Sequence, residues 1–359
     1  MPDDTLLERR HRLLGAAAPL FYSRPLHLVR GAGVWLYDAE GRRYLDAYNN
    51  VANVGHCHPH VVKALEKQAK TLNTHTRYLH EAILDYGEAL ISTFEDDLSR
   101  LFLCCSGTEA NELALRIAKA CSGATGVIVT DFCYHGNSAT IAELCTAFPG
   151  PEGIGPSVRT VTAPDTYRLT PGVSEADAAD IFAAQVNAAI ESLRESGMNT
   201  AAFLVDTVFA TEGLPKMPAG AMEKAVAAVH AAGGYYIADE VQPGFGRTGE
   251  NMWGYQLYGA VPDLVTMGKP MGNGHPIAGV VSRPDLAEEF GAKAMYFNTF
   301  GGNPVAASVG LAVLQVIEQE GLQVNALNVG NHLRAGLTKL AETHDIIGDV
   351  RGHGLFTAV

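Results

Sequence analysis

The sequence carries little positive charge for its size. Its 359 residues include 26 Lys and Arg against 39 Asp and Glu, a formal net charge of −13. We therefore expect no broad surface for nucleic acid or anionic membrane. Long apolar runs are also missing, so no membrane-spanning helix is predicted. The charged N-terminus leads into a short apolar run broken by Pro19, which does not resemble a signal peptide.

Cysteine is scarce and shows no ligand spacing. The chain has six cysteines, and none of them forms a C-x-x-C pair. Because nothing else in the sequence indicates secretion, we predict reduced thiols in a cytoplasmic protein. The cysteines are Cys57, Cys104, Cys105, Cys121, Cys133 and Cys145.

Apolar residues are abundant, at 47% of the chain, enough for one large α/β domain or two domains. From residue 101 to 267, short apolar runs alternate with helical patterns, which predicts crossover units and a mainly parallel sheet. The predicted strands are 101–104, 127–130, 201–205, 235–238 and 264–267, and the predicted helices between them are 108–121, 138–145, 176–195 and 219–231. Flanking predictions are helices at 3–15, 59–72, 80–93, 304–320 and 323–342, a hairpin at 34–46, loops at 49–60 and 146–175, and a strand-like end at 355–359.

Two of these apolar runs end in residues that carry chemistry. The run 235–238 ends in Asp239, and the run 264–267 leads into Gly268 and Lys269. Open α/β sheets bind ligands at the carboxyl ends of their strands. Pyridoxal phosphate needs a lysine amine for its aldehyde and an acid that keeps its ring nitrogen protonated. The two strand ends therefore predict a pyridoxal-phosphate site.

Each of these residues has a plainer interpretation. A lysine on a loop is usually solvated. Here Met267, Met271 and several glycines surround Lys269, which predicts a partly buried amine with a lowered pKa and better nucleophilicity. Asp239 could instead cap a helix, but it ends a strand.

Two short motifs fit a bound phosphorylated ring. Ser106-Gly107-Thr108 lies between a strand and a helix, where free N–H groups can hold a phosphate. Taken alone, this triplet favours an ordinary N-cap with Thr108 closing the turn. Tyr134-His135-Gly136 follows another strand, where an aromatic ring could stack on a flat cofactor or pack under a loop.

Two further patterns are weaker. Residues 244–249 match G-x-G-x-x-G, but no helix pattern begins there, so a dinucleotide site is disfavoured. His56, His58 and His60 are spaced at alternate positions, yet Pro59 indicates a loop leading into a helix. No Cys or Glu cluster completes a zinc site, so structural or substrate-contacting histidines are the better interpretation, and we predict no metal.

Several segments together resemble the class-III pyridoxal-phosphate aminotransferases. They are SGTEAN at 106–111, YHG at 134–136, ADEVQPGFGRTG at 238–249, GKPMGNGHPIAG at 268–279 and NTFGGNP at 298–304. The resemblance runs from about residue 25 to the end of the chain. It implies an α/β protein of fold type I, with a mostly parallel seven-stranded sheet flanked by helices and a small α+β domain from both chain ends. The implied divisions are 1–45 for the N-terminal part of the small domain, 46–300 for the large domain and 301–359 for the start of a C-terminal part, which looks truncated against the family.

The resemblance also implies roles for individual residues. Lys269 would hold pyridoxal 5'-phosphate as a Schiff base, and Asp239 would pair with the ring nitrogen. Tyr134 and Val241 would cover the two faces of the ring, and Gln242 would reach its hydroxyl group. The phosphate would be held by Ser106, Gly107 and Thr108, with His135 also in the cofactor-binding set. Thr299 would reach the cofactor of a neighbouring subunit, so a homodimer with shared active sites is implied.

The resemblance leaves three functions open. An aminotransferase would move an amino group from an amine or amino acid to a keto acid. LDAYNNVANVGHCHP, NTHTRYLH and TMGKPMGNGHP resemble a subgroup that also includes phospho-lyases, which eliminate phosphate from phosphoethanolamine or phosphohydroxylysine. A catalytically silent cofactor-binding relative is the third. Residues 206–212 depart from the Glu-Pro motif common in the family, which bears on the substrate side of the site.

Overall fold

A computed structural model of the chain describes residues 5–48, 50–151, 153–169 and 172–359. The chain divides into two compact units, Met1–Tyr48 and Asn49–Val359. Residues 3 and 4 of the first predicted helix, residue 49 of the predicted loop 49–60, and residues 152, 170 and 171 of the predicted loop 146–175 lie outside the described residues. The three-part domain division implied by the resemblance stays a prediction.

Residues 5–48 of the first unit form one helix and a small antiparallel sheet. Helix α1 (Leu6–Leu14) begins with a capping box, in which Thr5 and Glu8 bond each other's backbone N–H groups. The sheet has the order β1 (Leu28–Ala32), β2 (Trp35–Asp38) and β3 (Arg43–Leu45). The antiparallel pairing of β2 with β3 confirms the predicted hairpin.

The second unit is built on a seven-stranded sheet that places the candidate site. Its order along the sheet is β4-β10-β9-β8-β7-β5-β6. Strand β10 runs antiparallel to both of its neighbours, and the other pairings are parallel, which confirms the mostly parallel sheet. The strands are β4 (Arg100–Cys104), β5 (Gly126–Thr130), β6 (Val158–Val161), β7 (Thr200–Asp206), β8 (Tyr235–Asp239), β9 (Leu264–Met267) and β10 (Ala278–Ser282).

Helices cover this sheet and extend from it. They are α2 (Pro59–Ala69), α3 (Glu81–Ile91), α4 (Gly107–Ser122), α5 (Ala139–Ala142), α6 (Glu175–Glu195), α7 (Ala221–Ala231), α8 (Pro284–Lys293), α9 (Pro304–Gln319) and α10 (Leu322–Ala341). A hairpin of β11 (Arg351–His353) and β12 (Phe356–Ala358) follows. In the described ranges no single helix is long and apolar enough to cross a membrane, and only α9 with α10 passes that test, as a bent pair.

The central strands are buried on both faces, which explains their continuous apolar sequences. In β7, Phe203 and Val205 belong to one apolar cluster, whereas Ala202 and Leu204 belong to the other. Helix α4 contributes to the second cluster, and α6, α7 and α9 contribute to the first. Strands packed this way are largely apolar until they end. Charged side chains therefore first become available at the sheet edge where β7, β8 and β9 terminate.

Candidate active site

A cavity lies at the carboxyl ends of three neighbouring parallel strands. Asp206 ends β7 and Asp239 ends β8, and their Cα atoms are register partners. Lys269 comes two residues after the end of β9. The cavity has a volume of ≈ 180 Å³ and is lined by Gly107, Thr108, Asn111, Tyr134, His135, Gly136, Asp206, Asp239, Val241, Gln242 and Lys269. The acid and the lysine that the sequence singled out therefore reach one cavity.

Lys269 differs from its predicted environment. We expected a partly buried side chain, but the residue is exposed, whereas Gly268 and Pro270 on either side are buried. The short, buried strand β9 fixes the backbone, so the flexible side chain is the part that projects into the open cavity. It is the one cationic Lys or Arg side chain that lines the cavity within the described residues.

Asp239 is buried and tightly hydrogen-bonded. Its Oδ2 accepts hydrogen bonds from Asn111 Nδ2 at 2.9 Å and from His135 Nδ1 at 2.7 Å. Its Oδ1 accepts one from the Val241 N–H at 3.0 Å. Asn111 is held in turn by Thr266, whose hydroxyl donates to Asn111 Oδ1 at 2.6 Å. Because both oxygens have fixed partners, the carboxylate is held in one orientation beside the cavity.

His135 contacts Asp239, and the His135 side chain is wholly buried. Burial disfavours the charged imidazolium, but the Cys133 sulfur and the Asp239 carboxylate outweigh it and raise the pKa of His135 well above its ordinary value. A protonated His135 supplies the positive charge that stabilises a buried carboxylate. The resemblance implies that His135 belongs to the cofactor-binding residues. Its observed hydrogen bond is to Asp239, so it would act on the cofactor through that carboxylate.

The N-terminus of α4 forms one wall of the cavity. Ser106 is the N-cap: its hydroxyl accepts from the Glu109 N–H at 3.2 Å, and Glu109 Oε2 accepts from the Ser106 N–H at 3.1 Å. This capping box leaves the N–H groups of Gly107 and Thr108 without a partner among the described residues. The N-cap interpretation is therefore correct, with Ser106 rather than Thr108 as the capping residue. The N–H groups of Gly107 and Thr108 remain available as hydrogen-bond donors to an anion.

Close backbone packing shapes this wall. Gly136 has φ +141°, and a Cβ there would lie 2.5 Å from Thr108 Oγ1. Thr108 also exchanges hydrogen bonds with Asn137, donating to its Oδ1 at 3.2 Å and accepting from its N–H at 3.3 Å. Only glycine allows the loop after β5 to approach the helix start this closely, so the Tyr134-His135-Gly136 segment is brought against the anion-binding turn.

Three other predicted site residues line the same cavity. Tyr134 is 36% exposed, and its ring makes an edge contact with Phe148 at a centroid distance of 5.7 Å. Val241 is buried against Gly107. Gln242 Oε1 accepts a hydrogen bond from Asn50 Nδ2 at 3.1 Å. An aromatic ring, a branched aliphatic and an amide are thus available to contact a flat polar ligand.

The remaining candidates lie elsewhere. Thr299 is exposed between α8 and α9 and does not line the cavity, so its role toward a neighbouring subunit stays a prediction. His58 caps α2 and contacts Glu320 at 2.9 Å, whereas His60 contacts Gln315 at 2.8 Å. In the G-x-G-x-x-G segment, Gly249 has φ +76°, and a Cβ there would lie 2.5 Å from the Leu327 backbone nitrogen. Gly249 therefore accommodates the approach of α10.

Sequence reasoning did not assign a role to three residues that line the cavity: Asn111, Gly136 and Asp206. Asn111 and Gly136 lie within SGTEAN and YHG, two of the segments that carry the resemblance. Asp206 has the same sequence signal as Asp239, since it directly follows the apolar run 201–205.

A buried acid next to the site makes stability depend on pH. Glu240 is fully buried and accepts hydrogen bonds from the Thr207 hydroxyl and from the N–H groups of Gly254 and Tyr255. Burial raises the pKa of Glu240 from 4.5 to about 7, against the opposing effect of these bonds. The folded state therefore binds this proton more tightly than the unfolded state does.

We expect the resulting stabilisation to be complete below pH 4.5 and to be lost as pH rises through about 7. Its size is on the order of 3 kcal/mol. Glu240→Gln, which keeps a neutral side chain, should flatten the fall of the unfolding midpoint between pH 5 and 8 that calorimetry records. Glu195→Gln at an exposed helix end is the control. An unchanged slope in Glu240→Gln would contradict the assignment.

The residues fit pyridoxal phosphate. The Gly107 and Thr108 N–H groups suit its phosphate, the charge-paired Asp239 suits its ring nitrogen, and the Lys269 amine suits its aldehyde. Together, the sheet and this cavity are those of a pyridoxal-phosphate enzyme of fold type I.

The comparisons identify the family. The model of the family "Aminotransferase class-III" matches residues 21–359, and the chain belongs to this family of pyridoxal-phosphate-dependent enzymes. It is 40% identical over 361 residues to an alanine–glyoxylate aminotransferase 2-like protein of Drosophila melanogaster, covering 98% of this chain and 73% of the relative.

Two further comparisons concern phospho-lyases. The chain is 34% identical over 372 residues to an ethanolamine-phosphate phospho-lyase homolog of Caenorhabditis elegans, covering 99% of this chain and 79% of the relative. The solved structure of a phospholyase from Arthrobacter, in complex with phosphoethanolamine, is 50% identical with a TM-score of 0.96, covering 98% of this chain and 83% of that one. The resemblance noted in the sequence, including the subgroup, is thereby confirmed.

Proposed function

We propose that this aminotransferase moves the amino group of a primary amine or amino acid to a keto acid or aldehyde. One observation carries the proposal: the Lys269 amine and the charge-paired Asp239 carboxylate line a single cavity at the ends of adjacent strands. A mobile base and a fixed negative charge are the two protein groups that such a transfer requires.

Each group in the cavity has a separate task. The α4 N-terminus would hold the phosphate, and Tyr134 and Val241 would contact the ring. Asp239, supported by His135, would keep the ring nitrogen protonated. A ring protonated in this way would supply the electron withdrawal that acidifies the carbon bearing the substrate amine. Lys269 Nζ would be the base that takes the proton from this carbon and delivers it to the cofactor's former aldehyde carbon, so that the amino group stays with the cofactor when the carbonyl product is released by hydrolysis.

A second candidate is elimination of phosphate from a phosphorylated amine. The specific observation in its favour is the 50% identity to a phospholyase that was solved with phosphoethanolamine. The first step, removal of a proton by Lys269, is the same. If the adjacent carbon carries a phosphate ester, the electron pair would form a carbon–carbon double bond while the C–O bond to phosphate breaks. Hydrolysis of the resulting enamine would give a carbonyl compound and ammonia, so no keto acid is consumed. Such a substrate needs a second anion site, and Lys269 is the one Lys or Arg side chain lining the described cavity.

One assay separates these reactions. The purified protein, loaded with pyridoxal phosphate, is given a panel of amines that includes phosphoethanolamine, each with and without a keto acid. Carbonyl product and inorganic phosphate are both measured. We expect carbonyl product that depends on the keto acid. Phosphate release without keto acid would replace the transfer proposal with elimination, and absence of both products would indicate a catalytically silent relative.

We also propose a homodimer with shared sites and a cytoplasmic location. The exposed position of Thr299, outside its own chain's cavity, supports a role toward a partner subunit. The six free cysteines support a reducing compartment. A monomeric mass in light scattering, or an exported protein in cell fractionation, would contradict the respective proposal.

A further inference from the structure

We propose that Asp206 is a positioning residue that stays a neutral carboxylic acid and orients the Gln242 amide, so that Asp239 alone carries the negative charge at this end of the cavity. The inference rests on the cofactor that the family uses and not on which of the two reactions follows.

The geometry places two carboxyl groups in one cavity. Asp206 and Asp239 are register partners on adjacent parallel strands, and both line the cavity. Their exposed fractions are only 3% and 4%. Two carboxylates this close in a buried site repel each other, which favours a proton on one of them unless each has its own positive partner.

The hydrogen-bond partners show which carboxyl group keeps the proton. Asp239 receives the His135 imidazole at 2.7 Å and the Asn111 amide at 2.9 Å. Asp206 receives the Val208 N–H at 3.0 Å and the Gln242 amide nitrogen at 3.5 Å. Hydrogen bonds from an ionised nitrogen donor to a carboxylate are usually short, about 2.7–2.9 Å, and only the His135–Asp239 contact is of this kind. In the described chain no Lys, Arg or His side chain hydrogen-bonds Asp206, so the positive charge is on the Asp239 side.

A third acid adds to the negative field around Asp206. Glu212 accepts a hydrogen bond from the Thr211 hydroxyl at 3.1 Å and another from the Thr130 hydroxyl. Burial, together with the charges of Glu212 and Asp239, raises the pKa of Asp206 well above its ordinary value. Burial also raises the pKa of Glu212, although the Thr130 bond opposes it. Among the described residues, the positive charge that lowers the pKa of both Asp206 and Glu212 is that of His135, which already pairs with Asp239.

A neutral Asp206 has a clear use. Gln242 is held between the Asp206 carboxyl group and the Asn50 amide, with contacts of 3.5 Å and 3.1 Å. Its amide therefore has few orientations while it faces the cavity. Because the group behind it is uncharged, Gln242 can contact an electron-rich oxygen of the cofactor without bringing a second negative charge toward it.

Two variants test the neutral state. In the protein stripped of cofactor, we expect Asp206→Leu to weaken equilibrium binding of pyridoxal phosphate about tenfold, the loss of roughly one hydrogen bond. Asp206→Asn, a neutral polar replacement, should recover most of that loss. Asp239→Leu and Asp239→Asn are the matched pair on the next strand, and there Asn should not rescue, because the charge itself is needed. If Asn at position 206 binds as poorly as Leu, the proposal is overturned.

A double substitution tests the route through Gln242. Since Asp206 acts by orienting that amide, Asp206→Leu should cost little further affinity in a Gln242→Leu background. Additive losses would overturn the positioning role. Infrared difference spectra between wild type and Asp206→Asn provide a readout that does not depend on activity. We expect the wild type to show the carbonyl stretch of a neutral carboxylic acid at neutral pH, and a carboxylate band in its place would refute the inference.

Discussion

Lys269→Ala should abolish covalent attachment of pyridoxal phosphate and lower turnover about 10³-fold, within the range that a positioned acid–base group contributes. The structure gives the reason. Lys269 projects into the cavity from the end of β9, and in the described residues no other lysine lines that cavity. Borohydride reduction followed by peptide mass spectrometry measures the attachment, and a steady-state assay measures the turnover.

The control is a lysine of similar exposure away from the cavity. Lys216 pairs with Glu175 at 3.3 Å on the surface. Borohydride reduction should therefore still attach the cofactor to Lys269 in Lys216→Ala, and the turnover of this variant should equal that of the wild type. Helix content by circular dichroism should be the same in both variants, because the Lys269 side chain is exposed. Cofactor attached to another lysine in Lys269→Ala would mean that the reactive amine has been assigned to the wrong residue.

The order of strands and helices was largely predictable because the central strands are buried on both faces. The predicted strand 264–267 matches β9, and the predicted strand 235–238 is one residue shorter than β8. Strand β10 was missed, because Ala278–Ser282 follows a glycine-rich segment that reads as a loop. Strand β6 was missed within the predicted loop 146–175, since its sequence VRTV is short and interrupted by charge.

The residues predicted to contact the cofactor could be found from the sequence, whereas the residues that hold those side chains in place could not. Lys269 and Asp239 could be found because each follows an apolar run. His135 hydrogen-bonds Asp239, which is 104 residues away in the sequence, and Asn111 hydrogen-bonds Thr266, which is 155 residues away. No local pattern encodes such pairings. The exposure of Lys269 was mispredicted because apolar neighbours in sequence do not determine how a cavity opens.

The Asp239 carboxylate is the second group whose loss should have a large effect. Asp239→Asn keeps the size of the side chain and its bond to the Val241 N–H, but it removes the negative charge beside His135. Without that charge, the proton on the cofactor's ring nitrogen loses its partner, and electron withdrawal from the substrate weakens. We expect turnover to fall about 10²-fold to 10³-fold, the usual cost of losing one preorganised electrostatic contact in an active site.

The chain offers a matched control for this variant in Asp263. It is 2% exposed and hydrogen-bonds His230 at 2.8 Å, so it is also a buried aspartate paired with a histidine. Its histidine is partly exposed, Arg283 pairs with the same carboxylate, and it precedes β9 at the opposite end from Lys269. Asp263→Asn should lower the unfolding midpoint and leave the pH dependence of the cofactor absorbance unchanged. Asp239→Asn should shift that pH dependence, because the ring nitrogen is deprotonated more easily. If both variants lose only stability, Asp239 is a structural acid, and the electronic role assigned to it is wrong.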